Sequence, residues 1–300
     1  MSTLNTNMQG KVCIVTGANS GIGKATTLGL AQTGATVVMV CRDQAKGEEA
    51  QQEIKQQSGN EAIDLMLADL TSQASIRELA KNIQQRYQQL HVLINNAGVV
   101  NLTRQETSDG FEVMFAVNYL APFLLTNLLL EKLKASAPSR IVNVSSDSHE
   151  AGYIKMDDLQ SEQQYAFMRS YGQSKLALVL FTYELARRLQ GTGVTANCLH
   201  PGFVATNIGQ NGVGTVLRSI IKLIFSRLGI SPDEGAKTSI YLASSPEIEG
   251  VTGKYFSKSI PVRSAPISYD ETLQRQLWEE SAQMVNLQNI GATFIAPTPN

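Results

Sequence analysis

The sequence predicts a single α/β domain: a doubly wound parallel sheet of about seven strands with helices on both faces. Three observations carry this. Short runs of β-branched and aliphatic residues alternate with longer amphipathic segments along most of the chain. Those runs are apolar throughout rather than alternating, as in strands covered on both faces. No repeat, low-complexity tract or Pro/Gly-rich linker divides the 300 residues, and a chain of this length can bury one large core.

Strands are expected over Lys11–Val15, Thr36–Val40, Ala62–Leu67, His91–Ile94, Arg140–Val144, Val194–Leu199 and, after Gly253, Lys254–Phe256. Helical segments lie between them at Ile22–Thr33, Gln44–Gln57, Ser72–Gln88, Thr107–Leu133 and Tyr171–Gln190. In Ser72–Gln88, the residues Ile76, Leu79, Ala80 and Ile83 share one stripe. The run around Leu124, Leu125, Leu128, Leu129 and Leu130 fits a helix buried on most sides. A last amphipathic helix, Tyr269–Val285, is expected to pack back on the domain. Residues 1–9 and 288–300 are expected to be loose ends of the domain 1–300.

A net charge of −1 and the lack of any Lys/Arg run argue against a nucleic-acid partner. Cys13, Cys41 and Cys198 are far apart, odd in number and set in apolar runs, so reduced, buried, inert thiols are expected. Residues 1–9 lack the apolar core of a signal peptide. No run of ~18 apolar residues suggests a spanning helix. These features favour the cytoplasm.

The segment Thr16-Gly17-Ala18-Asn19-Ser20-Gly21-Ile22-Gly23 joins the first strand to the first helix. Glycines there allow a tight turn and close approach of a pyrophosphate to a helix N-terminus, whose N–H groups and dipole favour an anion. Dinucleotide sites selective for NAD usually place an acidic residue at the end of the second strand. Here Cys41 and Arg42 stand there, and Arg42 can clamp a 2′-phosphate bidentately, which favours NADP. Lys24 is placed to add a second cation, while Asp43 reads as the N-cap of the next helix. Asp69, before Leu70, closes the third strand; it suits an adenine amino group, a helix cap, or both.

Tyr171 and Lys175 are four residues apart and share a helix face. An ammonium there can favour phenolate and lower the phenol's pKa, and a tuned phenol can protonate a carbonyl. The pair follows Ser145-Ser146.

These segments together resemble the short-chain dehydrogenase/reductase family, a Rossmann-type fold, over roughly residues 10 to 257. The resemblance rests on TGANSGIG at 16–23, Asp69-Leu70, Asn95-Asn96-Ala97-Gly98, Asn118, IVNVSS at 141–146, Tyr171 with Lys175, and Pro201-Gly202 followed by Val204 and Thr206. It implies a catalytic set of Asn118, Ser146, Tyr171 and Lys175. It also implies a cofactor site of Gly17, Asn19, Ser20, Gly21, Ile22, Gly23, Arg42, Asp69, Leu70, Asn96, Ala97, Gly98, Tyr171, Lys175, Pro201, Gly202, Val204 and Thr206. The resemblance also implies that Ser146, the second serine of the pair, faces the reaction; Ser145 then points to the other side of the strand, because alternate residues face opposite ways. Ser146 and Tyr171 would stabilise and protonate the oxygen of a carbonyl that receives hydride from NADPH, and Lys175 would hold the nicotinamide ribose.

Pro122 lies four residues after Asn118 and lacks the N–H that would bond its carbonyl. A bend and a free carbonyl are expected there. The resemblance implies a proton-relay water beside Asn118, which that carbonyl would hold.

Within the family, TGANSGIGK, CRD at 41–43, VNYLAPFLLT at 117–126, SKLALVLF at 174–181 and ELARRLQGTGV at 184–194 are similar to retinol dehydrogenases and their relatives. Membrane-bound members carry an apolar N-terminal anchor, which this chain lacks, so a carbonyl reductase is expected rather than a retinoid enzyme. The long segment 147–170 should flank the substrate, with Tyr153, Ile154, Tyr165, Phe167 and Met168 as lining or as plain surface. His149 either touches substrate or makes a structural hydrogen bond. Region 203–231 corresponds to the substrate lid. Its apolar stretch 213–228, with Arg218, Lys222 and Arg227 on the polar side, suits a lid, a core or subunit contact, or a peripheral membrane contact. Each of these readings makes the substrate lipophilic.

Relatives pair through the two long helices, here 107–133 and 171–190, so a homodimer or homotetramer is implied. Two other functions remain open: reduction of a polarised C=C bond, as in protochlorophyllide reductases, or non-catalytic NADP binding. No metal site is indicated.

Overall fold

The structure, a computed structural model, describes residues 6–202 and 230–287. Seven parallel strands are β1 (Val12–Thr16), β2 (Thr36–Cys41), β3 (Ile63–Leu67), β4 (Val92–Asn95), β5 (Ser139–Val144), β6 (Val194–His200) and β7 (Tyr255–Ser257). An eighth strand, β8 (Ile260–Val262), pairs antiparallel with β7, Phe256 facing Pro261. The order is β3-β2-β1-β4-β5-β6-β7-β8. Chain direction across the sheet reverses between β1 and β4, and ligands of such sheets bind outside the carboxyl ends at that switch point.

The helices are α1 (Gly21–Gln32), α2 (Gln44–Ser58), α3 (Gln73–Arg86), α4 (Val113–Ala135), α5 (Phe167–Arg188), α6 (Pro232–Ser244) and α7 (Glu271–Met284). One core joins Leu30 of α1, Ile54 of α2 and Leu242 of α6 to Val37, Met39 and Ile94 of the sheet. The opposite core joins Ile76 and Ile83 of α3, Phe123 and Leu129 of α4, Leu180 and Phe181 of α5 and Trp278 of α7 to Ile14, Val38 and Leu93. The strands are thus covered on both sides, as their apolar runs require.

Two helix starts differ from expectation by four residues or more. The helix expected at 107 begins at Val113, because Thr107–Phe111 forms a turn and the Glu112 carboxylate caps the N–H groups of Met114 and Phe115 at 2.9 and 2.7 Å. α5 begins at Phe167, four residues before Tyr171, and α6 is an additional helix. α4 is long and apolar enough to cross a membrane, contrary to the reading that no such run exists. Yet 89% of its most apolar stretch is buried inside the fold.

α7 lies across α4 and α5. The Trp278 ring sits 5.0 Å from Phe123 and 5.6 Å from Phe181, and the hydroxyls of Tyr119 and Ser281 are 2.6 Å apart. Arg187 of α5 pairs with Glu271 at 2.8 Å. The chain's own C-terminal helix therefore occupies part of the two long helices through which pairing is implied.

Candidate active site

The ends of β1, β2, β4, β5 and β6 border the crevice beside β1 and β4. β1 runs into the glycine turn, where Gly17 and Gly21 have φ of +67° and +53°, the left-handed region glycine adopts without strain. Gly23 has no room for a side chain: a Cβ there would lie 2.2 Å from the Gly17 carbonyl oxygen and 2.5 Å from Asn96 Nδ2. Ser20, the N-cap of α1, makes no side-chain bond to the first turn. A helix start without its usual side-chain cap, reached by a bare backbone turn, fits an anionic pyrophosphate.

β4 delivers Asn96-Ala97-Gly98 to the same place. Thr16 Oγ1 accepts from the N–H of both Asn96 and Ala97 at 3.0 Å, and Asn96 Nδ2 donates to the Thr16 carbonyl at 2.8 Å. This buried threonine, named in the glycine segment but given no role of its own there, locks the two turns together.

At the end of β2, Arg42 is exposed and, among the described residues, in no ion pair. Asp43 is the N-cap of α2, accepting from the Lys46 N–H at 3.1 Å. Lys24 is committed to an ion pair with Glu53, so the second cation expected beside Arg42 is already engaged. Asp69 Oδ1 accepts from the N–H and hydroxyl of Thr71, while Ser72 is the N-cap of α3. The helix-capping role considered for Asp69 thus belongs to Ser72.

β5 ends at Ser145-Ser146 and α5 supplies Tyr171 and Lys175. Ser145 Oγ donates to the Lys175 carbonyl at 3.0 Å, a buried structural bond. Ser146 lies close enough to Tyr171 for its hydroxyl to act on the phenol. Its hydroxyl also lies 2.9 Å from Asp147 Oδ1. Lys175 Nζ is 5.8 Å from the Tyr171 ring centre and donates to the Val144 carbonyl at 3.0 Å.

The electrostatics differ from the sequence reading. Burial pushes the Tyr171 phenol up to about 12, outweighing the bond to Ser146 that lowers it. Burial also pulls Lys175 down to about 8. Desolvation wins over any lowering of the phenol by the ammonium. The Tyr171 phenol is thus protonated at neutral pH, and Lys175 is the group whose pKa lies nearer neutrality.

Asn118 is fully buried and its side chain is fully used. Oδ1 accepts from the Val99 N–H at 2.7 Å, and Nδ2 donates to the Val99 carbonyl and to Ser174 Oγ, each at 3.0 Å. It clasps the Gly98-Val99 turn to α5. A Cβ on Gly98 would lie 3.4 Å from both Asn118 Oδ1 and Lys175 Nζ. The irregularity expected near Pro122 takes the form of a π-helical turn at Ala116–Leu120, with the Ala121 N–H bonded to the Ala116 carbonyl. The ladder has slipped by one residue before proline is reached.

β6 ends near Pro201-Gly202, with Gly202 at φ +89°. Val204, Thr206 and the stretch 213–228 lie outside the described residues. In the long segment before α5, Ile154 is buried and Tyr165 donates to the Asn101 carbonyl, whereas Tyr153, Phe167 and Met168 are exposed. His149 makes structural hydrogen bonds and is buried. The three cysteines are free and buried, as expected, and burial pushes all three thiols up. No metal-ligand cluster occurs among the described residues.

The model of the short chain dehydrogenase family matches residues 11–214. Human retinol dehydrogenase 13 is 48% identical over 283 residues, covering 93% of this chain and 86% of that protein. Human retinol dehydrogenase 14 is 46% identical over 294 residues, covering 93% and 88%. An uncharacterised protein from Mycobacterium paratuberculosis shares the fold with a TM-score of 0.76 and 31% identity, over 94% of this chain and 95% of that one. RhlG of Pseudomonas aeruginosa, solved as an NADP active-site complex, shares the fold with a TM-score of 0.66 and 24% identity, over 84% and 96%. The chain belongs to the short-chain dehydrogenase family, in its retinol dehydrogenase-like branch, as an oxidoreductase of alcohol and carbonyl groups.

Proposed function

We propose that the protein is an NADP(H)-dependent oxidoreductase that interconverts a lipophilic ketone or aldehyde and its alcohol. The observation that carries this reading is Tyr171 beside Ser146 with Lys175 Nζ 5.8 Å from its ring centre, next to the Gly98 turn that the glycine segment packs on. When bound, the nicotinamide would supply or accept the hydride.

The chain's residues account for the rest. Gly17 to Gly23 would face the pyrophosphate, Asp69 the adenine, and Asn96 to Gly98 the inner face of the cofactor. Arg42, exposed and without an ion pair among the described residues, supports recognition of a 2′-phosphate. Ser146 Oγ would donate to the substrate oxygen, and the Tyr171 hydroxyl would hand it a proton as negative charge develops there. A phenol raised by burial stays protonated at neutral pH, which suits carbonyl reduction. Lys175 would stabilise the phenolate left behind and return a proton to it. The π-helical turn at Asn118 supports a main-chain carbonyl open to a relay water between Lys175 and solvent.

The lipophilic substrate is supported by Phe167 and Met168. Both are exposed and lie one helical turn before Tyr171, on its side of α5. The buried, reduced thiols support a reducing, cytoplasmic setting. The test is oxidation of NADPH and NADH across ketones, aldehydes and quinones, with Tyr171→Phe as control. The reading requires preference for NADPH and a loss of ~10²-fold or more in the variant, the scale of general acid catalysis.

A further inference from the structure

His149 lies three residues beyond Ser146 and is fully buried. Both ring nitrogens are engaged. The Ala265 N–H donates to Nε2 at 3.1 Å, so Nε2 carries no proton. The ring proton then sits on Nδ1, which donates to the Ser146 carbonyl at 2.7 Å. The same carbonyl accepts the His149 main-chain N–H at 3.2 Å. The ring packs on Tyr255 at 4.6 Å, with the Tyr255 hydroxyl 3.4 Å from Nδ1. Burial lowers the imidazole's pKa, in keeping with a neutral ring.

Ala265 is itself held firmly. Its neighbour Ser264 bonds the hydroxyls of Tyr183 at 2.6 Å and Ser268 at 2.7 Å. Gln274 donates to the Ser268 carbonyl at 2.7 Å. On the other flank, the segment after Ser146 is pressed onto α5. A Cβ on Gly172 would lie 2.8 Å from the Ser148 carbonyl oxygen, and one on Gly152 would lie 2.5 Å from the Gly172 carbonyl oxygen. Gly172 is the residue after Tyr171.

We propose that His149 is a positioning residue: a neutral Nδ1–H imidazole that ties the Ser146 carbonyl to the Ala265 amide, so that the segment Arg263–Tyr269 helps align the serine hydroxyl with Tyr171. This rests on the roles given above to Ser146 and Tyr171. A rigid ring that donates on one side and accepts on the other satisfies both buried main-chain groups at once. Removing it leaves the Ala265 N–H unpaired and the Ser146 carbonyl with only the longer bond from the His149 main-chain N–H.

The test is a double-mutant cycle of His149→Phe and Ser146→Ala, assayed with NADPH and the best carbonyl substrate of the panel. His149→Phe lowers kcat by about 10²-fold, the scale of a misplaced catalytic group, and leaves KM for NADPH unchanged. His149→Gln, which can still donate and accept, recovers most of the loss. In the Ser146→Ala background, His149→Phe causes no further loss, because the two act through one hydroxyl. Should His149→Phe fail to fold, His149→Asn takes its place in the cycle. Losses that multiply, or an unchanged kcat in the His149 variant, overturn the positioning role while Ser146→Ala still impairs turnover. An unchanged kcat in Ser146→Ala brings down the functional reading, and this role with it.

Discussion

Replacing Lys175 with Met removes an ammonium that is only 4% exposed. Burial depresses its pKa from the ordinary 10.5 to about 8. At ~1.4 kcal/mol per pH unit this costs the folded protein about 3 kcal/mol below pH 8. The bond from Nζ to the Val144 carbonyl offsets part of that, since losing it costs about 1–3 kcal/mol. The folded pKa lies below the unfolded one, so the unfolded chain binds more protons between pH 8 and 10.5. Wild-type stability attributable to this group therefore rises through that window, and the Met variant lacks the rise. Urea unfolding of the cofactor-free protein at pH 7 and pH 10 measures it. The variant should gain at pH 7 relative to its standing at pH 10, by up to about 3 kcal/mol, while losing its reductase activity. A stability difference that is the same at both pH values would refute the reasoning, because the ammonium would then carry no burial cost.

Arg42→Ala should weaken NADPH binding by about 10–100-fold, the worth of a charged hydrogen bond, and leave NADH binding unchanged; fluorescence titration of each cofactor checks it. Gly172→Ala forces a methyl against the Ser148 carbonyl oxygen at 2.8 Å, which should cost about 1–3 kcal/mol by denaturant unfolding and lower kcat. Trp278→Ala removes a ring stacked on Phe181 and covered by the Arg188 guanidinium at 4.3 Å. It should cost about 3–5 kcal/mol. By uncovering α4 and α5 it should also drive association that light scattering detects.

The sheet was legible because its strands are buried on both faces and read as unbroken apolar runs, Thr36 to Cys41 most plainly. β8 escaped because Pro261 argues against a strand, and its turn uses Lys258 and Ser259, both at positive φ, rather than the usual Asn-Gly. α6 was within reach: Ser231-Pro232-Asp233-Glu234 is a capping sequence with proline in the first turn, and Ser231 Oγ does accept from the Glu234 N–H. The structural role of Ser145, whose hydroxyl bonds the Lys175 carbonyl, is set by contact with α5 and is not written in the Ser145-Ser146 pair itself. Partners far along the chain were not legible. Lys24 finds Glu53 on the next helix, and His149 finds Ala265 across 116 residues. The same holds for desolvation: spacing puts Lys175 beside Tyr171, but only the packed fold determines how deeply both are buried.

The most direct measurement is NADPH-dependent reduction of a lipophilic carbonyl by the wild type and by Tyr171→Phe, run side by side. The account predicts turnover by the wild type and a loss of at least ~10²-fold in the variant with NADPH binding intact. Equal turnover by the two proteins would contradict it, as would no turnover of any ketone, aldehyde or quinone by wild type that binds NADPH.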